Sequence, residues 1–319
     1  MYTGSAFGLD LAARFRVAGL LDEQLAPARP DPTVLVRSAG AELERDWPAD
    51  AERICDLRFP EGPRLTIEHA DAGYRLEVDD WGVYLVSADG RMITFAPPHA
   101  EDWRWQRLLT AQVLPLAALV RGRELLHASG VELTGRCVAL LGDSGVGKTT
   151  LAAHLTARGA PFVTDDVLAI SADARGVSAH RGPGLMNLRH SAAASLGDGE
   201  RAHLGELVGH DSQGLRLLVR RSVAPLPLGA VYFLRRGDAP AAAPAVEALN
   251  GAACRELLGA SFNSSLRTES RLRNQLEVYS ALAASVPLFR VVIPNGSRPS
   301  AVAERIDWHA RERIGAWGA

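Results

Sequence analysis

The sequence predicts an α/β fold over residues 123–319, preceded by a mainly antiparallel β (α+β) domain over residues 1–122. Three observations predict it. An apolar run, Cys137 to Leu141, enters G-x-x-x-x-G-K-T at Gly142–Thr149 and continues into an Ala/Leu-rich helical stretch. Between Arg64 and Ala96, apolar and polar residues alternate with a period of two, broken by short Gly-containing turns. Beyond the Gly-rich loop, short apolar strands are interleaved with helices.

At 319 residues the chain has room for two domains. Its 35 basic and 37 acidic residues leave a formal charge of −2, which argues against nucleic acid or a membrane surface as partner. The three cysteines, Cys55, Cys137 and Cys254, are scattered, and Cys137 lies in an apolar strand. Core packing in a reducing cytoplasm fits them better than a metal or redox site. Residues 1–24 contain Asp10, Asp22 and Glu23 and no long apolar run, so they do not read as a signal peptide. The most apolar stretch, Leu108 to Val120, is too short to span a bilayer and contains Pro115.

In chain order, Leu9 to Leu25 reads as a helix, Pro30-Asp31-Pro32 as a break, and Thr33 to Val36 as a strand. In the alternating region Leu65 and Ile67 interleave with Arg64, Thr66 and Glu68, and Leu76 and Val78 with Arg75, Glu77 and Asp79. Val83–Val86 and Met92–Phe95 follow, with turns at Asp71-Ala72-Gly73 and Ala88-Asp89-Gly90, and Pro97-Pro98 ends this meander. Glu101 to Val120 reads as a helix whose Trp103 and Trp105 suit a core or interface rather than a ligand cage. The α/β domain begins near Leu125. Gly159 closes the helix after the Gly-rich loop. Pro161 to Ile170 reads as a strand interrupted by Asp165 and Asp166, and Arg181-Gly182-Pro183-Gly184 as a turn within Gly176–Leu188. Leu215–Val219, Ala230–Leu234 and Phe289–Ile293 read as strands, and Asn250–Leu258, Ser270–Ala284 and Ser300–Ile314 as helices. Ala239–Ala245 reads as a surface loop.

The Gly-rich loop is a P-loop by pattern and context. Glycines let the backbone N–H groups of Gly142, Asp143, Ser144, Gly145, Val146 and Gly147 turn inward onto phosphate oxygens. Lys148 reaches the β- and γ-phosphates, the Thr149 hydroxyl suits Mg²⁺, and Thr150 opens the helix whose dipole favours the anion. By itself the loop implies a nucleoside triphosphate and no particular reaction. A metal–phosphate site needs a carboxylate at the end of a neighbouring strand, and Asp165 and Asp166 have an apolar strand leading in. Adjacent strand residues point to opposite faces, so one acid is expected at the metal and the other at an incoming hydroxyl, unless one merely caps a turn. His127, just before the P-loop strand, is either a hydrogen-bonded structural residue or part of the site.

Leu126-His127-Ala128-Ser129-Gly130-Val131, the P-loop, Arg158-Gly159 and Thr164-Asp165-Asp166 stand in an order and spacing that resemble the HPr kinase/phosphorylase catalytic domain. Arg181-Gly182-Pro183-Gly184-Leu185-Met186-Asn187 also looks like that family's later R-G-x-G-x-x-N signature. The resemblance covers roughly Leu125 to Leu188 well and the rest of the C-terminal part loosely. It implies a P-loop fold related to phosphoenolpyruvate carboxykinase, and ATP- and Mg²⁺-dependent phosphorylation of a protein serine. By the resemblance Asp165 acts as base, Asp166 takes a metal or orienting role, and His127 sits beside the base. Two departures stand out. The family has a metal-serving glutamate where this chain has Ala179, and its C-terminal arginine-rich segment has no counterpart, so phosphorolysis is not expected. The N-terminal region looks more like that of HPr kinase-related proteins found with ribosomal peptide pathways, including lasso-peptide kinases.

The function expected is therefore a serine kinase acting on a peptide or protein, as a monomer or homo-oligomer. A kinase for a free serine-like metabolite and a non-catalytic ATP-binding regulator are the alternatives. Arg181, Arg189, Arg220, Arg221, Arg267 and Arg271 are candidates to neutralise the transferring phosphoryl group. The edge of the meander would suit an extended peptide acceptor, or simply cover the sheet.

Overall fold

The computed structural model describes residues 1–21, 23–24, 31–37, 43, 45–58, 63–96, 102–223, 225–237, 243–249 and 253–315. Pro97-Pro98, Glu101, Asn250 and most of the Ala239–Ala245 loop lie outside them, as does the side chain of Trp103. The chain divides into two units. One comprises Met1–Arg123 with Asn263–Leu272, the other Glu124–Phe262 with Arg273–Ala319.

The N-terminal unit is built on a sheet of nine described strands: β1 (Tyr2–Ala6), β2 (Leu9–Ala13), β3 (Glu23–Gln24), β4 (Thr33–Arg37), β5 (Glu52–Arg58), β6 (Arg64–Ala70), β7 (Gly73–Val78), β8 (Gly82–Ser87) and β9 (Met92–Ala96). Their order is β3-β1-β2-β4-β9-β8-β7-β6-β5. The meander β6–β9 is antiparallel throughout, as its period-two pattern requires. The described residues of Leu9–Leu25 form no helix, contrary to expectation. The first of them form β2, which pairs with β1 through Ala6↔Leu9. The two linking residues, Phe7 and Gly8, both hold positive φ (55° and 75°), the geometry of a tight two-residue hairpin. Leu9, Ala12 and Ala13 have helical spacing, but cross-strand pairing wins.

Glu101–Val120 was expected as one helix; the described part is three pieces. α1 (Asp102–Leu108) passes through a π-helical turn (Leu109–Val113) into α2 (Leu114–Val120). Pro115 has no N–H to give back to the preceding turn, and the widened turn absorbs the mismatch. Trp105 is fully buried and stacks on Phe95 at 5.1 Å, and its carbonyl accepts the Tyr84 hydroxyl at 2.6 Å. It is a core residue.

The second unit is a mixed α/β assembly. Its strands are β10 (Glu124–Leu126), β11 (Ala128–Leu133), β12 (Arg136–Leu141), β13 (Phe162–Thr164), β14 (Leu168–Asp173), β15 (Gly176–His180), β16 (Leu185–Arg189), β17 (Glu206–His210), β18 (Gly214–Leu218), β19 (Leu226–Arg236), β20 (Ala245–Ala248) and β21 (Leu288–Ile293). The main sheet runs β10-β14-β15-β19-β12-β11-β13, with β21 added on β19 and β20 on β21. β16-β18-β17 form a separate small sheet. β12, β19 and β21 are mutually parallel along the chain of pairings.

The helices of this unit are α3 (Lys148–Ala157), α4 (His190–Ser195), α5 (Asp198–Leu204), α6 (Ala253–Gly259), α7 (Glu269–Ser285) and α8 (Pro299–Gly315), α7 beginning in the Asn263–Leu272 segment. Strand alternation sorts the core into two layers. Cys137, Ala139 and Leu141 of β12 pack on one face with Val278, Tyr279 and Leu282 of α7. Val138 and Leu140 pack on the other with Leu151 and Leu155 of α3 and Val302 and Ile306 of α8. Each fully buried aliphatic side chain contributes roughly 2 kcal/mol of transfer free energy, so this double-faced burial holds β12 and α3 firmly on either side of the P-loop. Burial pushes the Cys137 thiol far above its ordinary range, which keeps it unreactive. No described helix is long and apolar enough to cross a membrane.

Candidate functional site

The Gly-rich loop Gly142–Gly147 spans the gap between β12 and α3. Gly142 leaves the strand at φ 138°, and a Cβ there would lie 2.6 Å from the Leu234 carbonyl oxygen of β19. Only glycine lets the chain turn this close to its parallel neighbour. Gly145 and Gly147 also hold positive φ, and Gly147 is the N-cap of α3. The Val146 N–H closes the loop onto the Asp143 carbonyl at 3.2 Å.

Lys148 is buried, and its ammonium donates to the carbonyls of Gly142 (2.7 Å) and Asp143 (3.2 Å). It thus arches over the loop's own backbone. Burial lowers its pKa, with Asp166, Asp165 and Asp143 acting against that.

Thr149, the first residue past the lysine, donates its hydroxyl to Asp165 Oδ1 at 2.7 Å. Ser129 of β11, itself fully buried, donates to the same oxygen at 2.9 Å. The backbone N–H of Asn187 on β16 donates to Asp165 Oδ2 at 3.2 Å. Three elements far apart in sequence therefore converge on one carboxylate. Its pKa is pushed up to about 6, first by burial and then by the Asp166 charge, against the three donors that favour the ionised form.

Asp165 and Asp166 do not continue a strand, as the sequence suggested. β13 stops at Thr164. The Val167 N–H bonds the Asp165 carbonyl at 2.8 Å, and Asp166 between them holds φ 66°. This is a γ-turn of the rare positive-φ kind, an energetically costly shape for a residue with a Cβ. The Ala128 N–H holds it by bonding the Asp166 carbonyl at 3.2 Å, and the Thr164 hydroxyl by bonding the Val167 carbonyl. The alternation argument for opposite faces does not apply here. The turn separates the two acids instead: Asp165 is half-buried and Asp166 exposed.

No family model and no curated protein matches the sequence. Among solved structures, the chain is similar to the HPr(Ser) kinase/phosphatase from Coxiella burnetii at 12% identity and a TM-score of 0.33, over 59% of this chain and 97% of that one.

His127 occupies the single-residue link between β10 and β11. Its N–H bonds the Ala260 carbonyl at 2.7 Å, and its ring lies parallel to Phe262 with centroids 6.5 Å apart. Burial and the Lys148 charge lower its pKa while Asp166 opposes them, so the ring is neutral near pH 7 and in the field of both charged groups. The hydrogen bonds to Asp165 do not include His127.

Of the candidate arginines, Arg181 donates to the Ser222 carbonyl at 3.3 Å, and Arg267 and Arg271 fall in the segment belonging to the N-terminal unit. Ala179 of β15 is fully buried in the core layer that holds Ala139 and Leu141. Two partners of Asp165 were not assigned by sequence. Both stand inside motifs quoted above, but Asn187 acts through its backbone N–H, which no side-chain pattern signals. Thr149 and Asp165 present hard oxygen donors 2.7 Å apart, a set suited to a small divalent cation that keeps part of its water shell.

Proposed function

We propose that the chain is an ATP- and Mg²⁺-dependent kinase that transfers the γ-phosphoryl group to a serine hydroxyl of a peptide or protein, in the manner of the HPr kinase-like enzymes its motifs resemble. The observation that carries this reading is the convergence of Thr149, Ser129 and the Asn187 amide on Asp165, beside a P-loop lysine. Phosphoryl transfer needs little beyond positioning and charge neutralisation, and these residues offer both.

The contacts favour a division of labour opposite to the one the resemblance implies. Asp165 has taken up three donors, Thr149's hydroxyl among them, which suits it to the metal side. Asp166 is exposed, electrostatically coupled to Lys148 and His127, and free to meet an incoming hydroxyl. In this reading Asp166 takes the proton from the serine hydroxyl. The serine oxygen bonds to the γ-phosphorus as the bond to the β–γ bridging oxygen breaks, and ADP leaves. Lys148 exchanges its two backbone carbonyls for phosphate oxygens. Mg²⁺, when bound, supplies charge neutralisation on the phosphates.

The test is transfer of label from ATP carrying a labelled γ-phosphate, with Mg²⁺, to a panel of serine-bearing peptides and to free serine. Peptide labelling that falls by roughly a hundredfold or more in Asp166→Asn supports the assignment. Undiminished labelling by that variant removes Asp166 as base, and labelling of free serine alone replaces the peptide acceptor by a metabolite. Lys148→Ala is expected to weaken ADP binding by about a hundredfold, read by calorimetry, since it deletes a charged donor worth roughly 2–3 kcal/mol. The buried Ala179 gives one observation in favour of a non-catalytic regulator, because no third carboxylate can reach the metal from β15. ATP binding without turnover on any acceptor would select that reading.

A further inference from the structure

β12 and β19 are parallel, so both end at the Gly-rich loop, but they do not end level. Leu141, the last residue of β12, pairs with Phe233, and β19 runs on past it to Arg236. The end of β19 thus overhangs the loop. Its Leu234 carbonyl is the atom that crowds Gly142, where the loop begins. Two residues on, Arg236 reaches the loop's other end, and its guanidinium lies 4.0 Å from where a Gly147 Cβ would stand.

Strand parity explains the aim. Leu234 packs in the layer of Val146 and Leu151, on the α3 side of the sheet. Alternate residues share a face, so Arg236 projects to that side and Arg235, like Phe233, to the other. Both arginines are exposed. The backbone beneath them is fixed, because Arg236 pairs with Ile293 of β21 and the Gly237 N–H bonds the Ile293 carbonyl at 2.9 Å. The Arg236 side chain lines a cleft together with Gly145, Gly147 and Thr150. Among the described residues no carboxylate pairs with its guanidinium and no carbonyl accepts from it. Asp165 stands on the opposite flank. In the main sheet β19 lies on one side of β12, while β11, which carries Ser129, and β13, which leads to Asp165, lie on the other. A loop of this kind cradles the α- and β-phosphates in its amides, and its lysine reaches on to the γ-phosphate.

We propose that Arg236 is a catalytic residue of the transfer described above, on whose P-loop reading it rests: its guanidinium contacts the β-phosphate from the β19 flank and neutralises the leaving group. As the bond from the γ-phosphorus to the bridging oxygen breaks, its electron pair stays on the β-phosphate of ADP. Charge develops there on the flank away from Asp165, and a guanidinium fork that donates two N–H groups meets it well. Lys148 and the metal side serve the γ-phosphate; Arg236 serves what is left behind.

The test is calorimetric titration of the full chain with ADP and with inorganic pyrophosphate, both with Mg²⁺, followed by the peptide-labelling assay. Arg236→Ala is expected to weaken both ligands by about tenfold or more, since both carry the phosphate it contacts. Labelling turnover at saturating ATP should fall by about tenfold to a hundredfold and recover in part on adding free guanidinium, which the loss of a structural contact would not allow. Arg236→Lys should hold pyrophosphate within about threefold, because the charge remains, and still turn over more slowly, because the fork is gone. Arg235→Ala, which removes the neighbouring cation on the opposite face, should stay within about twofold in every measurement. Unchanged affinity in Arg236→Ala, loss of ADP affinity alone, equal losses in Arg235→Ala, or unchanged turnover would each overturn the assignment while leaving the P-loop standing. Binding of neither ligand by the unmodified protein would overturn the phosphate grip and the role of Arg236 together.

Discussion

Replacing Asp165 by asparagine is expected to cut phosphoryl transfer by roughly a thousandfold and, in the same protein, to remove the loss of stability with rising pH that this carboxyl causes. The first effect follows from removing the one carboxylate that joins the helix after the Gly-rich loop to β11 and β16, an electrostatic contribution of the size such groups make in active sites. The second follows from the raised pKa. Below about pH 4 the carboxyl is protonated in both folded and unfolded chains. Between about pH 4 and 6 the unfolded chain loses the proton while the folded one keeps it, because the folded value is about 6. The folded state then binds more protons, so the metal-free protein loses stability as pH rises through this window. The penalty, on the order of 2 kcal/mol for this half-buried group, persists above pH 6. Asp165→Asn keeps the oxygen that accepts from Thr149 and Ser129, gives up the bond from the Asn187 N–H at every pH, and removes the titration. Urea unfolding of both proteins at pH 4, 6 and 8 should show the wild type losing ground with pH and the variant not. A wild-type curve that rises with pH would contradict the electrostatics assigned to Asp165.

Gly142→Ala is expected to destabilise the second unit on the order of 3 kcal/mol and to abolish nucleotide binding. Two penalties add. The backbone sits at φ 138°, where a Cβ costs about 1–3 kcal/mol. The methyl group would also lie 2.6 Å from the Leu234 carbonyl, a backbone atom fixed in the parallel β12–β19 ladder. Gly145→Ala is the control. It too has positive φ (82°), but nothing lies within 4 Å of its Cβ position. It should cost about 1 kcal/mol. Thermal unfolding of the two variants separates crowding from backbone strain, and equal shifts would show that the approach to β19 is not what demands glycine at 142.

The parts legible in the sequence are those whose geometry is forced locally. Gly142, Gly145 and Gly147 mark positive-φ positions directly, and the apolar runs on either side admit little besides a buried strand and a packed helix. The β6–β9 meander was readable because β6 and β7 alternate with a period of two and its turns carry Asp and Gly. The β1–β2 hairpin was not readable, since its turn places Phe7, not a turn residue, at positive φ. Strand β5, solvated along most of its length, has no apolar face to announce it. In the site, Lys148, Thr149 and Asp165 declare themselves by side-chain chemistry. The amide of Asn187 and the γ-turn at Asp166 do not, because they are products of tertiary placement and backbone shape. Nor does any local pattern assign Asn263–Leu272 to the unit formed by the first 123 residues.

The turn at Asp166 has a consequence for how this position tolerates genetic change. At φ 66°, glycine fits best, asparagine and aspartate at a cost the surrounding hydrogen bonds can offset, and β-branched or bulky residues poorly. Two separate filters therefore act on one codon. Folding admits Asp, Asn and Gly; chemistry, if Asp166 is the base, admits only the first. Drift away from activity at this codon would leave well-folded, inert descendants carrying asparagine or glycine, so a protein keeping the whole P-loop with either residue here would be a nucleotide binder that has given up transfer.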